Sequence, residues 1–264
     1  MVRPHTLATA RTPWAWALGG AALGLLLATV LFAPAVWLAG RVQAASGGQV
    51  LLQDARGTVW NGSTQITLTG GPGSSDSSTL PGRLAWRVQP GWGQLQVSVF
   101  ADCCMQTPWA LDLLPRWGGV HLHMQDQRSQ WPALLLTGLG TPWNTIRAEG
   151  QLALSSQAFS AQWIHGRLSL QGQLQLDALD MSSRMSTLRP MGSYRFVLQG
   201  GDTPRLDLST TQGSLQLSGN GQWTDGRLRF RGEASAAPDR KDALTNLLNI
   251  IGRREGARSI INVG

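Results

Sequence analysis

His121 and His123 stand two apart in a stretch that alternates polar and apolar residues. On a strand that spacing puts both imidazoles on one side. A third ligand from elsewhere would complete a zinc site. The plainer reading, and the expectation here, is a solvated pair with Leu122 and Met124 on the opposite, apolar face. His165 is the one further histidine after residue 41. Cys103 and Cys104 are adjacent. Their Cα atoms lie ~3.8 Å apart across a trans peptide, so a bond between them closes a tight ring. In an oxidising compartment the outcomes are a bonded pair, two thiols, or a link to another chain. With no Cys-x-x-Cys, a structural role is expected, one cysteine packed inward and the other exposed.

The carboxylates offer less. Of 15 acidic residues, only Glu149, Glu233 and Glu255 are glutamates. Asp177 and Asp180 are close in sequence, but nothing marks them as an acid–base pair. There is no phosphate-binding loop, dinucleotide glycine fingerprint, His-Glu-x-x-His or Gly-x-Ser-x-Gly. These residues point away from an enzyme and from a metal or cofactor. The net charge of +7 comes almost wholly from arginines spread along the chain. A scattered charge of that kind suits a solvated face, not nucleic acid. Attraction to anionic lipid headgroups is a weaker reading. Over 264 residues, 42% are apolar and 14% charged, which suits a packed core and not a disordered chain.

The elements that would carry these residues begin with a membrane segment. No charged residue occurs from Thr12 to Gly40, and Trp14 to Leu38 is almost wholly apolar. A bilayer core takes ~20 such residues. Arg3 and Arg11 precede the run, so the positive-inside rule puts the N-terminus in the cytoplasm. Trp14, Trp16 and Trp37 fall where interfacial aromatics belong. Pro34 can kink or end the helix. The competing reading is a cleaved secretory signal with Val42-Gln43-Ala44 as its small-residue site, although signal cores are shorter. The expected division is a cytoplasmic stretch over 1–11, a transmembrane anchor over 12–40 and a periplasmic β-rich domain over 41–264, held at a bacterial inner membrane.

After residue 45 one phrase recurs: Gly82-Arg83-Leu84-Ala85-Trp86, Gly93-Gln94-Leu95-Gln96-Val97, Gly150-Gln151-Leu152-Ala153-Leu154, Gly166-Arg167-Leu168-Ser169-Leu170 and Gly172-Gln173-Leu174-Gln175-Leu176. Gly213-Ser214-Leu215-Gln216-Leu217 and Gly226-Arg227-Leu228-Arg229-Phe230 complete the set. Each reads as a turn glycine followed by a strand with one buried and one wet face. Leu168, Leu170, Leu174 and Leu176 should share a side. The irregular spacing argues for an antiparallel meander of hairpins over a solenoid. A curved, folded sheet and a two-layer sandwich both remain open. Gly70 to Ser78 reads as a loop and Trp131 to Leu139 as a short helix. Pro238 to Ile251 reads as a C-terminal helix, with Leu244, Leu247, Leu248 and Ile251 on one face. Residues 260–263 suit a last strand.

Gly57-Thr58-Val59-Trp60-Asn61-Gly62-Ser63 resembles the hallmark near the start of the exported part of the type II secretion system protein N family (general secretion pathway protein N). Gly221-Gln222-Trp223-Thr224-Asp225-Gly226, Gly232-Glu233-Ala234 and Leu247 to Gly256 also resemble that family. The resemblance implies an inner-membrane accessory subunit of the machine that moves folded proteins across the outer membrane. Partners would be other secretion subunits and the inner membrane; no active site or cofactor is implied. The motif residues Gly57, Trp60, Asn61, Gly62, Gly221, Trp223, Gly226 and Gly232 are expected to be structural, with Asn61-Gly62 forming a two-residue turn at positive φ. A second reading is an anchored periplasmic lipid-binding or lipid-bridging protein similar to the AsmA-like kind. A packed inner face would favour the first and an apolar groove the second.

Overall fold

The computed structural model of the chain describes residues 14–224 and 227–264. Helix α1 (Trp14–Leu31) gives way at Pro34 to a second helix, α2 (Ala35–Ala45). The proline has no N–H for the helix ladder and favours an extended neighbour before it, so the apolar run does not continue as one rod. The side chains from Trp16 to Leu31 are exposed, whereas Ala33 and Ala35 are buried where the chain meets the sheet. Among the described residues no helix is long and apolar enough to cross a membrane. Helix α1 has 18 residues, which is about 27 Å of helix.

The strands that follow form one antiparallel sheet of 16 strands. Its main path opens with β1 (Val50–Gly57) and β2 (Asn61–Thr69), with the short β3 (Ser77–Thr79) on the side of β2. It continues through β4 (Leu84–Pro90), β5 (Leu95–Ala101), β6 (Trp109–Arg116) and β7 (Gly119–Met124). Strand β8 (Arg128–Pro132) pairs only with β9 (Glu149–Ile164), which also receives β7. Then follow β10 (Arg167–Ser182), β11 (Gly192–Gly201), β12 (Arg205–Gly213), β13 (Leu215–Thr224) and β14 (Arg227–Ala236). The last two strands exchange places: β16 (Arg258–Val263) pairs with β14, and β15 (Arg253–Glu255) lies outside it. Of the two expected arrangements, the single meander sheet is the one formed.

The two ends of this sheet differ. At one end lie the longer connections, including a 3-10 helix over Ala133–Leu139, the short helix α3 (Trp143–Ile146) and helix α4 (Lys241–Ile251). Both cores sit here. The larger gathers Met181, Met191, Leu215, Ala234, Leu244, Leu247 and Leu248, and the smaller Leu80, Ala101, Cys104, Met105 and Leu135. The C-terminal helix forms three residues later than Pro238, but with its leucines buried as the spacing requires. At the other end the strands are joined by short hairpins after β1, β4, β6, β9 and β11.

One expectation about glycine changes here. Gly172 does not start a strand; it lies inside the 16-residue β10 at φ +75°. A Cβ there would run into the Ala158 carbonyl, and Ala158 itself has φ +45°. The pair forms a β-bulge where the register shifts. The leucine side survives the bulge: Leu168, Leu170, Leu174 and Leu176 face Trp163, Ala161, Ser156 and Leu154 across the ladder. Their burial is uneven. Leu170 is buried and Leu168 is half exposed, because the latter lies near the bare hairpin end.

Candidate functional site

The hallmark around Trp60 forms the joint between the N-terminal helices and the sheet. The chain turns over Thr58 to Trp60, not at Asn61-Gly62, which already belong to β2 and pair with Arg87 and Trp86. The residue held at positive φ is Gly57, at +84°, and a Cβ there would strike the Asn61 carbonyl. The Thr58 hydroxyl accepts hydrogen bonds from the amides of Trp60 (3.3 Å) and Asn61 (3.1 Å) and so closes the turn. Gly62 is needed for space. A Cβ on it would lie 2.5 Å from the Trp86 ring and 2.7 Å from the Arg56 carbonyl.

Onto this turn the end of α1 is tied by three links. The Trp60 indole donates from Nε1 to the Val30 carbonyl at 2.8 Å. The Val59 amide donates to the Ala33 carbonyl at 2.9 Å, and Pro34 forms a bridge with Thr58. Beneath them Trp86, which is buried, donates from Nε1 to the Val59 carbonyl at 3.1 Å. Val30, Ala33 and Trp86 lie outside the motif, and only the fold brings them to it. Beside the joint Arg83 binds Asp54 through Nη1 to Oδ2 at 2.6 Å and reaches the Asp54 and Ser63 carbonyls with Nη2. Asp54 sits at φ +48°, where the β1 register shifts. Hydrogen bonds from Arg56, and then from Arg83, hold its carboxyl below the usual carboxylate range.

The second motif builds a cradle for one ring. Gly221 pairs with Phe230, and Gly219 with Gly232. Cβ atoms on Gly219, Gly221 and Gly232 would each approach Phe230 to 3.0 Å or less. Small residues thus let the phenyl ring lie flat across the sheet. Trp223 pairs with Leu228 and is half-buried, and its amide donates to the Pro204 carbonyl at 3.0 Å. Gly226 lies outside the described residues. Phe230 carries no mark in the sequence beyond its place in the repeated phrase, so its role emerges only from the pairing.

The histidines, carboxylates and cysteines build no shared site among the described residues. His121 pairs with Leu114 and Gln162, and His123 with Asp112 and Ser160. Among the described residues no three His, Cys, Asp or Glu side chains gather as a metal site. Asp177 is bound by Arg195 at 2.6 Å and accepts from Gln175, while the Asp180 amide is held by the Ser193 hydroxyl. Cys103 and Cys104 are bonded to each other, Cys104 buried and Cys103 exposed.

No curated protein and no solved structure matches this chain. A family model described as type II secretion system (T2SS), protein N, matches residues 48–261. That span runs from just before β1 into β16 and takes in both glycine motifs and the single meander sheet, so the chain belongs to the type II secretion system protein N family.

Proposed function

We propose that this protein is an inner-membrane accessory subunit of the type II secretion pathway, acting by binding and not by catalysis. Its family membership carries the reading. Anchoring is supported by α1, whose side chains from Trp16 onward are exposed and apolar or small, and by uncharged sequence continuing upstream to Thr12. On this reading residues 1–11 are cytoplasmic and the sheet is periplasmic, following the Arg3 and Arg11 flank. A binding role suits a body whose two cysteines are bonded and whose His121 and His123 lie apart from the acidic side chains of β10. Other secretion subunits are the proposed partners. Deleting the gene should leave growth intact and hold type II cargo in the periplasm, as read by cargo activity in medium against periplasm. Unchanged secretion would overturn the role. Alkaline phosphatase fused after Gly264 should be active, and an inactive fusion would overturn the topology.

One observation favours the second reading, a lipid-binding bridge. Val120, Trp163 and Leu168 pair directly across β7, β9 and β10 and remain exposed on the leucine-bearing face. Phospholipid co-purifying in stoichiometric amount, and lost on Leu168→Glu, would support it.

A further inference from the structure

The hairpin end of the sheet has an unusual set of tips. Trp92 caps the β4–β5 hairpin and Trp117 the β6–β7 hairpin, with relative exposures of 104% and 96%. Neither ring contributes to a core, so both are free to meet a surface outside the chain. The β6–β7 tip is fixed to the next hairpin, since the His165 amide donates to the Gly118 carbonyl at 3.0 Å. Just behind these tips stand the exposed Val120, Trp163 and Leu168.

The same end holds α1. Alternate turns of an antiparallel meander share a rim, and the β1–β2 turn that receives Val30 and Ala33 is on the rim of Trp92 and Trp117. The ladder also fixes how far each tip reaches. Asn61 pairs with Arg87, and β4 runs on to Pro90, about 10 Å further. Arg87 pairs with Ser98 and Ser98 with Ala110, and β6 then runs on to Arg116, about 20 Å beyond that level. Counted along the ladder, the Trp92 and Trp117 tips therefore reach progressively further out than the β1–β2 turn that receives α1.

Charge follows the same rim. Arg116 and Arg167 are exposed beside the two central tips, and Arg205 and Arg227 follow the next ones; Asp202 lies among them, and Asp54 beside the α1 joint is paired with Arg56 and Arg83. Indole rings favour the boundary between headgroup and acyl chain, and arginines beside them favour anionic headgroups.

We propose that this rim docks on the surface of a lipid bilayer containing anionic phospholipid, with Trp92 and Trp117 inserted at the headgroup level beside the point where α1 enters. The proposal rests on the anchored reading above and adds a defined orientation: the open end of the sheet faces the membrane, and the end closed by α4 points away. The bilayer then covers Val120, Trp163 and Leu168 as well as the two tips.

The test uses the full-length chain in vesicles of zwitterionic and anionic phospholipid, with part of the lipid brominated high on its acyl chains. The signal is the tryptophan emission of the parent minus that of the Trp92→Phe/Trp117→Phe variant. Docking predicts that this difference emission is blue-shifted and loses most of its intensity on bromination. Arg116→Glu/Arg167→Glu should restore much of it. A difference emission that stays red and unquenched, with the protein folded by circular dichroism, overturns the proposal. A carbonate wash afterwards separates the two ideas. Protein retained but tips unquenched sinks the docking alone, while protein washed off after quenching had been seen sinks the anchor and leaves the docking standing.

Discussion

The Trp60 indole and the Val30 carbonyl meet at 2.8 Å across 30 residues of sequence, and that bond joins α1 to the sheet. Trp60→Phe keeps most of the ring and removes the donor. It should weaken the joint by about 0.5–1.5 kcal/mol while leaving the sheet intact. Hydrogen exchange at the Val59 amide, which donates to Ala33, should quicken, with exchange in β10 and β13 unchanged. An unaltered Val59 rate would show that the Pro34 bridge alone suffices.

Gly62 is expected to resist every substitution, and for a steric reason. Gly62→Ala should cost about 1–3 kcal/mol because the added carbon meets the Trp86 ring. Gly62→Asn should be worse than Gly62→Ala, since it is larger and its tolerance of positive φ brings nothing here. Trp86→Leu should recover part of the loss in the Gly62→Ala background. Thermal melts rank the four proteins, and an asparagine variant milder than alanine would restore the turn reading.

The two ends of the sheet should respond differently to truncation. Leu247→Ala, under α4, should cost about 2–5 kcal/mol. Leu168→Ala, half exposed near the hairpin end, should cost on the order of 0.5–1 kcal/mol in detergent solution. Urea melts read both. Equal losses would mean that something packs over Leu168 within the chain itself.

Asp54 provides a pH signature. Its folded carboxyl titrates below the usual range, so the unfolded chain takes up the proton first as pH falls. The stabilisation is present above the ordinary carboxylate range and is lost as pH drops through the lowered folded value. Asp54→Asn, which tolerates the φ of +48°, should melt below the parent at neutral pH and converge with it in strong acid. A constant gap at all pH values would assign the effect to shape instead of charge.

Tyr194 is buried in the larger core, and its hydroxyl has no partner among the described residues. Burial pushes its phenol well above the ordinary range. Stability from this group is complete below the ordinary tyrosine range and declines as pH rises through it, because only the unfolded chain ionises readily. Tyr194→Phe should be neutral or stabilising near pH 7 and should blunt alkaline unfolding, both visible in melts.

The phrase of glycine, polar residue and leucine was enough to place the starts of β4, β5, β13 and β14, because one face of each is wet. It misread Gly172, since a bulge and a turn both demand a glycine at positive φ, and only the ladder through Ala158 tells them apart. Asn61-Gly62 departs from expectation for a related reason: the dipeptide itself carries strong turn propensity, but the buried Trp86 ring claims the space above Gly62. The break at Pro34 was legible from proline chemistry. The contact of Trp60 with Val30 was not, because it depends on α1 ending where the β1–β2 turn arrives.

Almost every strand of this sheet pairs with the strand made just before it. A chain fed from its N-terminus can therefore zip one hairpin at a time, with little loop entropy lost per step. Three strands depart from that order: β4 skips β3, β8 waits for β9, and β15 must wait for β16 to reach β14, while α4 seals the larger core in that last interval. Assembly can thus run largely in the direction of synthesis, with the segment from Lys241 to Gly264 closing it. Trimming that tail would leave a zipped but unsealed sheet, prone to add strands from its neighbours at the bared edge of β14.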